Sequence, residues 1–291
     1  MYETAALYLS YNSQDLQPAN PTTDNSPKIL ELLARLGNPQ LIHIENNTRI
    51  DPIPLNYPGE YTLIQGENEF WEFSGWQKGI SYLESQGIEP DCILFANDML
   101  SSGNRSMFDS LDLSAIEFCV RNNAVVGERV AFNFECEVLG KRIIPYIRTH
   151  LFVAPGSLFS LIDSIVSLNR NDAETIFSPT YSDISQLFTA SDVVSDPLKK
   201  FTVDYLQNYW HRRANFSPSD PAYRSKALAI LNMICLTRRI YDLDFFPLVD
   251  IQELSNLANG FLPLTFLRQK WCDESTAKLV ELSAILDSLH L

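Results

Sequence analysis

Along the first third of the chain, short apolar runs alternate with amphipathic stretches, and each run stops at polar side chains. Ala5 to Tyr11 predicts a strand ending in Asn12-Ser13. A helix is predicted from Ser26-Pro27, because Ser suits an N-cap and Pro the first turn. Ile29, Leu32, Leu33 and Leu36 share its apolar face and Gly37 supplies the stop. Gln40 to Glu45 predicts a second strand, running into Glu45-Asn46-Asn47-Thr48. Past the proline-rich stretch Asp51 to Pro58, Tyr61 to Gln65 predicts a third strand, followed by Gly66-Glu67-Asn68. Phe73, Trp76, Ile80 and Leu83 then mark a helix that closes at Gly87, and Asp91 to Ala96 is a fourth strand ending at Asn97-Asp98. Such strand–helix–strand alternation predicts parallel pairing in an α/β sheet covered on both faces.

The pattern weakens from Ser101 to about Arg148, where Ile116 to Val120, Ala124 to Phe132 and Lys141 to Ile147 read as strands. Beyond Leu151 it becomes helical: about Pro155 to Leu168, Ser182 to Thr189, Pro197 to Arg212, Pro221 to Ile240 and Asp273 to Leu289. No internal repeat or low-complexity tract interrupts the chain. The expected organisation is a sheet-centred part, residues 1–165, with a helical C-terminal part, residues 166–291, packed on it.

The polar strand ends change the picture from fold to chemistry. In an open α/β sheet, ligands bind at the carboxyl edge of the strands. Parallel strands would place Asn12, Glu45 and Asn97-Asp98 on that edge together, although Asn and Asp also favour ordinary turns. Composition narrows the partners. A net charge of −14 over 291 residues argues against nucleic acid or an anionic membrane as main partner, while leaving room for a small anion held by local cations. The five cysteines are scattered among apolar neighbours, without paired spacing for zinc or a disulfide framework. No run approaches a membrane span, and MYETAALYLSYN lacks the layout of a signal peptide, so a cytoplasmic location is expected, peripheral to the inner membrane face if the acceptor is lipid-linked.

The order of pieces resembles the GT-A glycosyltransferases of the family 2 type. The matching stretches are LYLSYN (Leu7 to Asn12), IHIENNT (Ile42 to Thr48), ENEFWEFSGWQKGI (Glu67 to Ile80) and CILFANDM (Cys92 to Met99). A rhamnan synthesis F-like group is similar in finer layout. Asn68 and Glu72, then Trp76 and Gly79, then Asn97-Asp98, follow its spacing, and GKRIIPYIRTHLFVAPGSLF (Gly140 to Phe159) resembles its His-containing segment. The likeness spans about residues 5 to 165. One departure is plain: the Asp-x-Asp position reads Ala96-Asn97-Asp98, so a carboxylate is absent.

The resemblance implies a GT-A-like (Rossmann-like) nucleotide-sugar-binding sheet flanked by helices. It also implies transfer of a sugar from a nucleotide-diphosphate donor to a glycan or lipid-linked glycan acceptor, in surface polysaccharide synthesis. Tyr11, Asn12, Glu45, Asn47, Asn68, Asn97 and Arg148 are the expected donor-binding residues, with Glu45 on the base or ribose. Asp98, His150 and Glu72 are the expected catalytic residues. Asp98 is also the candidate ligand for Mg²⁺ or Mn²⁺, because hard cations take oxygen ligands. The alternative is metal-free stabilisation of the diphosphate by Arg142, Arg148 and His150. Glu72, Glu135 and Glu137 are the candidate carboxylates for binding the acceptor or for serving as general base to its hydroxyl. Trp71 and Trp76 are candidates for stacking on sugar, with helical spacing placing Trp76 in the core. Arg212-Arg213 and Arg238-Arg239 read as solvated helix faces or helix ends. Two further readings stay open: a non-catalytic binding or scaffold protein, and a nucleotidyltransferase. Against the last, the loop after the first strand has no glycine, lysine or arginine.

Overall fold

The computed structural model describes residues 2–11, 26–47, 54–67, 69–98, 105–210, 217 and 219–254. Strands β1 (Thr4–Ser10), β2 (Gln40–Glu45), β3 (Tyr61–Gln65) and β4 (Cys92–Asn97) all pair in parallel. Helices α1 (Ser26–Arg35) and α2 (Glu72–Ser85) form the crossovers. Both end where glycine was expected to stop them, with Gly37 and Gly87 at φ 79 and 66, a left-handed conformation in which an L side chain is strained.

The next elements depart from the sequence pattern. Ile116 to Val120 lies inside a helix, α4 (Leu113–Asn122), not in a strand; a shorter helix, α3 (Arg105–Ser110), precedes it. The Asp112 side chain caps α4 by accepting from the backbone N–H groups of Ser114 and Ala115, and Asn123 ends it at φ 51. These caps and the buried face of Ala115, Ile116 and Cys119 outweigh the strand-like run. Strand β5 (Val125–Val130) follows, then a two-stranded hairpin of β6 (Glu137–Val138) and β7 (Lys141–Arg142). The main strand here is β8 (Tyr146–Pro155), which begins where Lys141 to Ile147 was expected to end. It runs antiparallel between β4 and β5, so the sheet is mixed.

Further along are α5 (Arg170–Ile176), α6 (Asp196–Tyr205) continued by a π-helical turn Leu206–Trp210, α7 (Pro221–Asp242), and strand β9 (Leu248–Asp250). Of the expected helix Pro155 to Leu168, only a 3-10 turn, Gly156–Leu158, forms. The remainder is held by side chains instead. Gln77 Oε1 accepts from Ile165 N at 2.8 Å, Asn232 Oδ1 accepts from Ser167 N and Leu168 N at 2.7 Å, and Arg239 donates to the Ser164 carbonyl at 2.9 Å. Arg239 lies in the last turn of α7, in keeping with a helix end, but it clamps this segment instead of facing solvent, and Arg238 pairs with Asp242 at 2.8 Å. Ser182 to Thr189 likewise contains only the turn Ile184–Gln186. The expected helix Asp273 to Leu289, with Arg212-Arg213, lies outside the described residues.

Among the described residues the sheet order is β3-β2-β1-β4-β8-β5-β9, a mixed α/β architecture with helices on both faces. Side-chain alternation divides the core. Ala6, Tyr8, Leu94 and Ala96 face α1 and α4, whereas Leu7, Leu9, Ile93 and Phe95 face α2 and the C-terminal half of α7. On the second face, fully buried Trp76 makes edge contacts with Phe73, Phe95 and Phe152 at 5.6 to 5.9 Å between ring centroids. Trp76 is thus a core residue, as its helical spacing predicted. A third core joins Cys136, Val138 and Tyr146 to α5, α6 and the N-terminal half of α7. Helix α7 belongs to both the second and third cores, and ties the C-terminal half to the sheet.

Glycines set how closely α2 lies on the sheet. A Cβ on Gly79 would sit 2.9 Å from Ile44 Cδ1 and 3.1 Å from Leu7 Cδ2. Gly79→Val should therefore lower stability by about 1–3 kcal/mol through overpacking, despite removing a helical glycine. The exposed Ser81→Ala should stay within about 0.5 kcal/mol. Denaturant midpoints of the two variants check this.

Candidate functional site

The parallel register carries β1, β2 and β4 to the same edge together, with Ser10 opposite Glu45 and Leu9 opposite Asn97. Antiparallel β8 enters from that edge, since Ala96 pairs with Leu151, and so His150 lies beside Asn97. The edge thus gathers Tyr11, Glu45, Asn47, Asn97, Asp98, Arg148 and His150. Asn12 and Asn68 lie outside the described residues.

Beneath the edge runs a buried polar chain. His43 Nε2 is 2.7 Å from Ser10 Oγ, and Ser10 donates to Glu45 Oε2 at 3.0 Å. With Ser10's single hydrogen committed to the carboxylate, His43 donates from Nε2, and its Nδ1 accepts from the Tyr61 hydroxyl at 3.1 Å. Tyr61 in turn accepts from Leu55 N. Burial keeps His43 neutral by lowering its pKa to about 4. Glu45, fully buried, also accepts from Asn47 N at 2.9 Å, so its visible work is to hold the Asn46-Asn47 turn.

Above this layer is a charged cluster. Asp98 Oδ2 accepts from Tyr11 N at 2.9 Å, joining the ends of β1 and β4. Burial raises the Asp98 pKa to about 6; the Tyr11 N–H opposes the rise, the Glu45 and Glu72 carboxylates add to it, and the Lys226 ammonium lowers it. Glu72, the first residue of α2, accepts from Thr149 Oγ1 at 3.4 Å. Just before it, Trp71 takes an uncommon backbone conformation, φ 54 and ψ −130, with its carbonyl held by Asn46 Nδ2 and Ser74 Oγ, each at 3.0 Å. Strain of this kind persists where surrounding structure enforces it.

On the far side, Glu128 lies between two basic side chains. Arg148 Nη1 lies 3.2 Å from its Oε1, and His150 Nε2 lies 3.5 Å from its Oε2, outside hydrogen-bonding geometry. Burial and then the Arg148 charge lower the His150 pKa to about 4, against the pull of Glu72. His150 is therefore a neutral imidazole at pH 7.

Two site residues escaped the sequence reading. Glu128 sits in a run that reads as an ordinary strand, and Lys226 lies within α7, whose spacing signals only a packed helix. Conversely, Arg142 pairs with exposed Glu135 at 2.7 Å on the small hairpin, and Glu137 is exposed there as well. Of the three candidate bases, Glu72 is the one at the edge. For a metal, no three His, Cys, Asp or Glu side chains converge among the described residues, and Asp98 has one oxygen already engaged by Tyr11, so the protein alone offers no closed metal cage there. A hard divalent cation takes six or more oxygen ligands, and Mg²⁺ commonly draws most of them from substrate phosphates and water.

Asp98 carries a stability cost. Its folded pKa lies above the ordinary carboxylate value, so the fold is favoured below about pH 4 and loses that advantage as pH rises through about 6. Asp98→Asn should stabilise the protein at pH 8 by up to about 3 kcal/mol, at 1.36 kcal/mol per pKa unit. The gain should vanish below about pH 4, as urea titrations across that range would show.

No family model matches the chain, and no curated protein matches it. Solved structures give a partial likeness. One is a 4-diphosphocytidyl-2C-methyl-D-erythritol synthase from Anaerococcus prevotii, 12% identical with a TM-score of 0.35, covering 55% of this chain and 74% of that one. A second synthase of that name is 12% identical with a TM-score of 0.33, covering 55% and 78%. A structure assigned to the nucleotide-diphospho-sugar transferases, from Desulfovibrio desulfuricans, is 13% identical with a TM-score of 0.34, covering 82% and 99%. All three scores lie below 0.5, and the likeness assigns no activity.

Proposed function

We propose that the chain binds a nucleotide-diphosphate sugar at the carboxyl edge of the sheet and transfers the sugar to a glycan acceptor, lipid-linked or free. The observation that carries this reading is the meeting of Asp98, Glu72, Arg148 and His150 around the ends of parallel β1, β2 and β4. In an α/β sheet this is the edge where ligands bind. Tyr11, Asn47 and Asn97, with flanking Asn12 and Asn68, form the donor pocket in this reading, and Glu45 shapes it from below. Glu72 takes the proton of the acceptor hydroxyl as the new glycosidic bond forms and the sugar–phosphate bond breaks, the bonding pair leaving with the nucleoside diphosphate. Its support is its place at the edge, where Glu135 and Glu137 are not. Neutral His150 hydrogen-bonds the donor, and Arg148 offsets part of the diphosphate charge. A Mg²⁺ or Mn²⁺ ion, if recruited, rests on Asp98 and the donor's own oxygens. Among the described residues no helix is long and apolar enough to cross a membrane.

The incomplete Asp-x-Asp stretch, Ala96-Asn97-Asp98, favours a second reading, a GT-A-like binding or scaffold protein without turnover. Calorimetry against UDP-, GDP- and TDP-sugars, with and without Mn²⁺, tests both, and absence of binding to all of them would defeat the donor-binding proposal. If the chain is an enzyme, Glu72→Gln should lower kcat about 10²- to 10⁴-fold with KM changed little. A scaffold would bind donor yet release no nucleoside diphosphate in the presence of any glycan acceptor.

A further inference from the structure

Helix α7 sends one cation into the site from the C-terminal half. The Lys226 ammonium lies 4.8 Å from the centroid of the Trp71 ring, at the mouth where α2 begins. The other basic residues of α7 are committed to the protein: Arg224 donates to the Ala173 carbonyl, Arg238 pairs with Asp242, and Arg239 clamps Ser164 to Ser167. Among the described residues, no carboxylate comes within ion-pairing distance of Lys226. Its field nevertheless reaches Asp98.

Trp71 is a built platform. Its carbonyl is pinned by Asn46 from the end of β2 and by Ser74 from α2, in a backbone conformation that side chains rarely adopt. A cation resting on a partly exposed ring is held less strongly than one bonded to a charged oxygen. Lys226 is thus held in place beside Trp71, its charge felt by Asp98, with no carboxylate partner among the described residues. Any polyanion entering beside the Asp98 and Glu72 carboxylates needs such a charge.

We infer that Lys226 is an anion-contacting residue of the site in addition to Arg148, donating its ammonium to the phosphoanhydride oxygens of a nucleoside diphosphate while its stem stays on Trp71. This rests on the donor-binding reading above and deepens it by naming a second residue that takes part of the charge. It also gives the C-terminal half a part in the site: without α7, the edge has an aromatic platform and carboxylates but lacks this cation.

The test uses the full chain with Lys226→Met, which keeps the stem on the ring, and Lys226→Arg, which keeps the charge. Affinities are measured by calorimetry for UDP, GDP and TDP, for the matching nucleosides, and for inorganic pyrophosphate. Thermal unfolding checks that each variant is folded. For the nucleotide that binds, Lys226→Met should lose at least tenfold in affinity, its nucleoside should bind as to the wild type, and Lys226→Arg should stay within about threefold. Unchanged nucleotide affinity in Lys226→Met, or equal loss for nucleotide and nucleoside, overturns the inference while the donor reading stands. Pyrophosphate binding that depends on Lys226, with no nucleotide bound, defeats the donor reading and, with it, the nucleoside diphosphate inferred here. Wild-type protein that binds neither overturns both.

Discussion

Strand β1 is paired in parallel on both sides, with β2 and with β4, and the geometry of the rest follows from that pairing. Alternate residues of β1 face opposite cores, so the register that buries Leu7 and Leu9 against α2 also buries Ala6 and Tyr8 against α1. A slip of one residue would turn each set to the wrong side. Both neighbours are thereby locked in phase, and three strands finish at the same level. The polar residues after them meet because the apolar residues before them have no other arrangement.

The edge is costly to maintain. Half-buried Asp98 resists ionisation, buried His43 and half-buried His150 resist protonation, and Trp71 is held in a strained backbone conformation. None of these helps the protein fold at neutral pH. The aromatic core below, where Phe95 and Phe152 stack at 4.5 Å and Trp76 abuts both, supplies the burial that offsets them. Such separation of an apolar foundation from an unfavourable polar rim is common at functional sites. The acid response has two opposing parts. As pH falls from about 6.5 to 4, the two histidines weaken the fold because only the unfolded chain protonates them freely, whereas Asp98 strengthens it.

The two halves of the chain are joined by more than a common surface. Helix α7 lies in two cores at once, and β9 closes the sheet beyond β5. Its polar residues do different work along its length. Asn232 and Arg239 replace the hydrogen bonds of a missing helix between Ile162 and Leu168, while Lys226 faces the start of α2. The C-terminal half therefore both supports the sheet and reaches its working edge.

The sequence by itself determined β1, α1, β2, β3, α2 and β4, because each has a clear apolar period and a local stop, and those stops named Glu45, Asn97 and Asp98. Local signals failed where long-range partners decide. Ile116 to Val120 looks like a strand until the Asp112 cap and the packing against the sheet are known, and Pro155 to Leu168 looks helical until Gln77, Asn232 and Arg239 claim its backbone. The reach of Glu128 and Lys226 into the site was likewise settled only by tertiary structure. Periodicity reports which side of an element is buried, but not which charge from a distant element stands opposite. The antiparallel course of β8 and the packing of α7 on α2 made those choices, bringing Glu128 to His150 and Lys226 to Trp71.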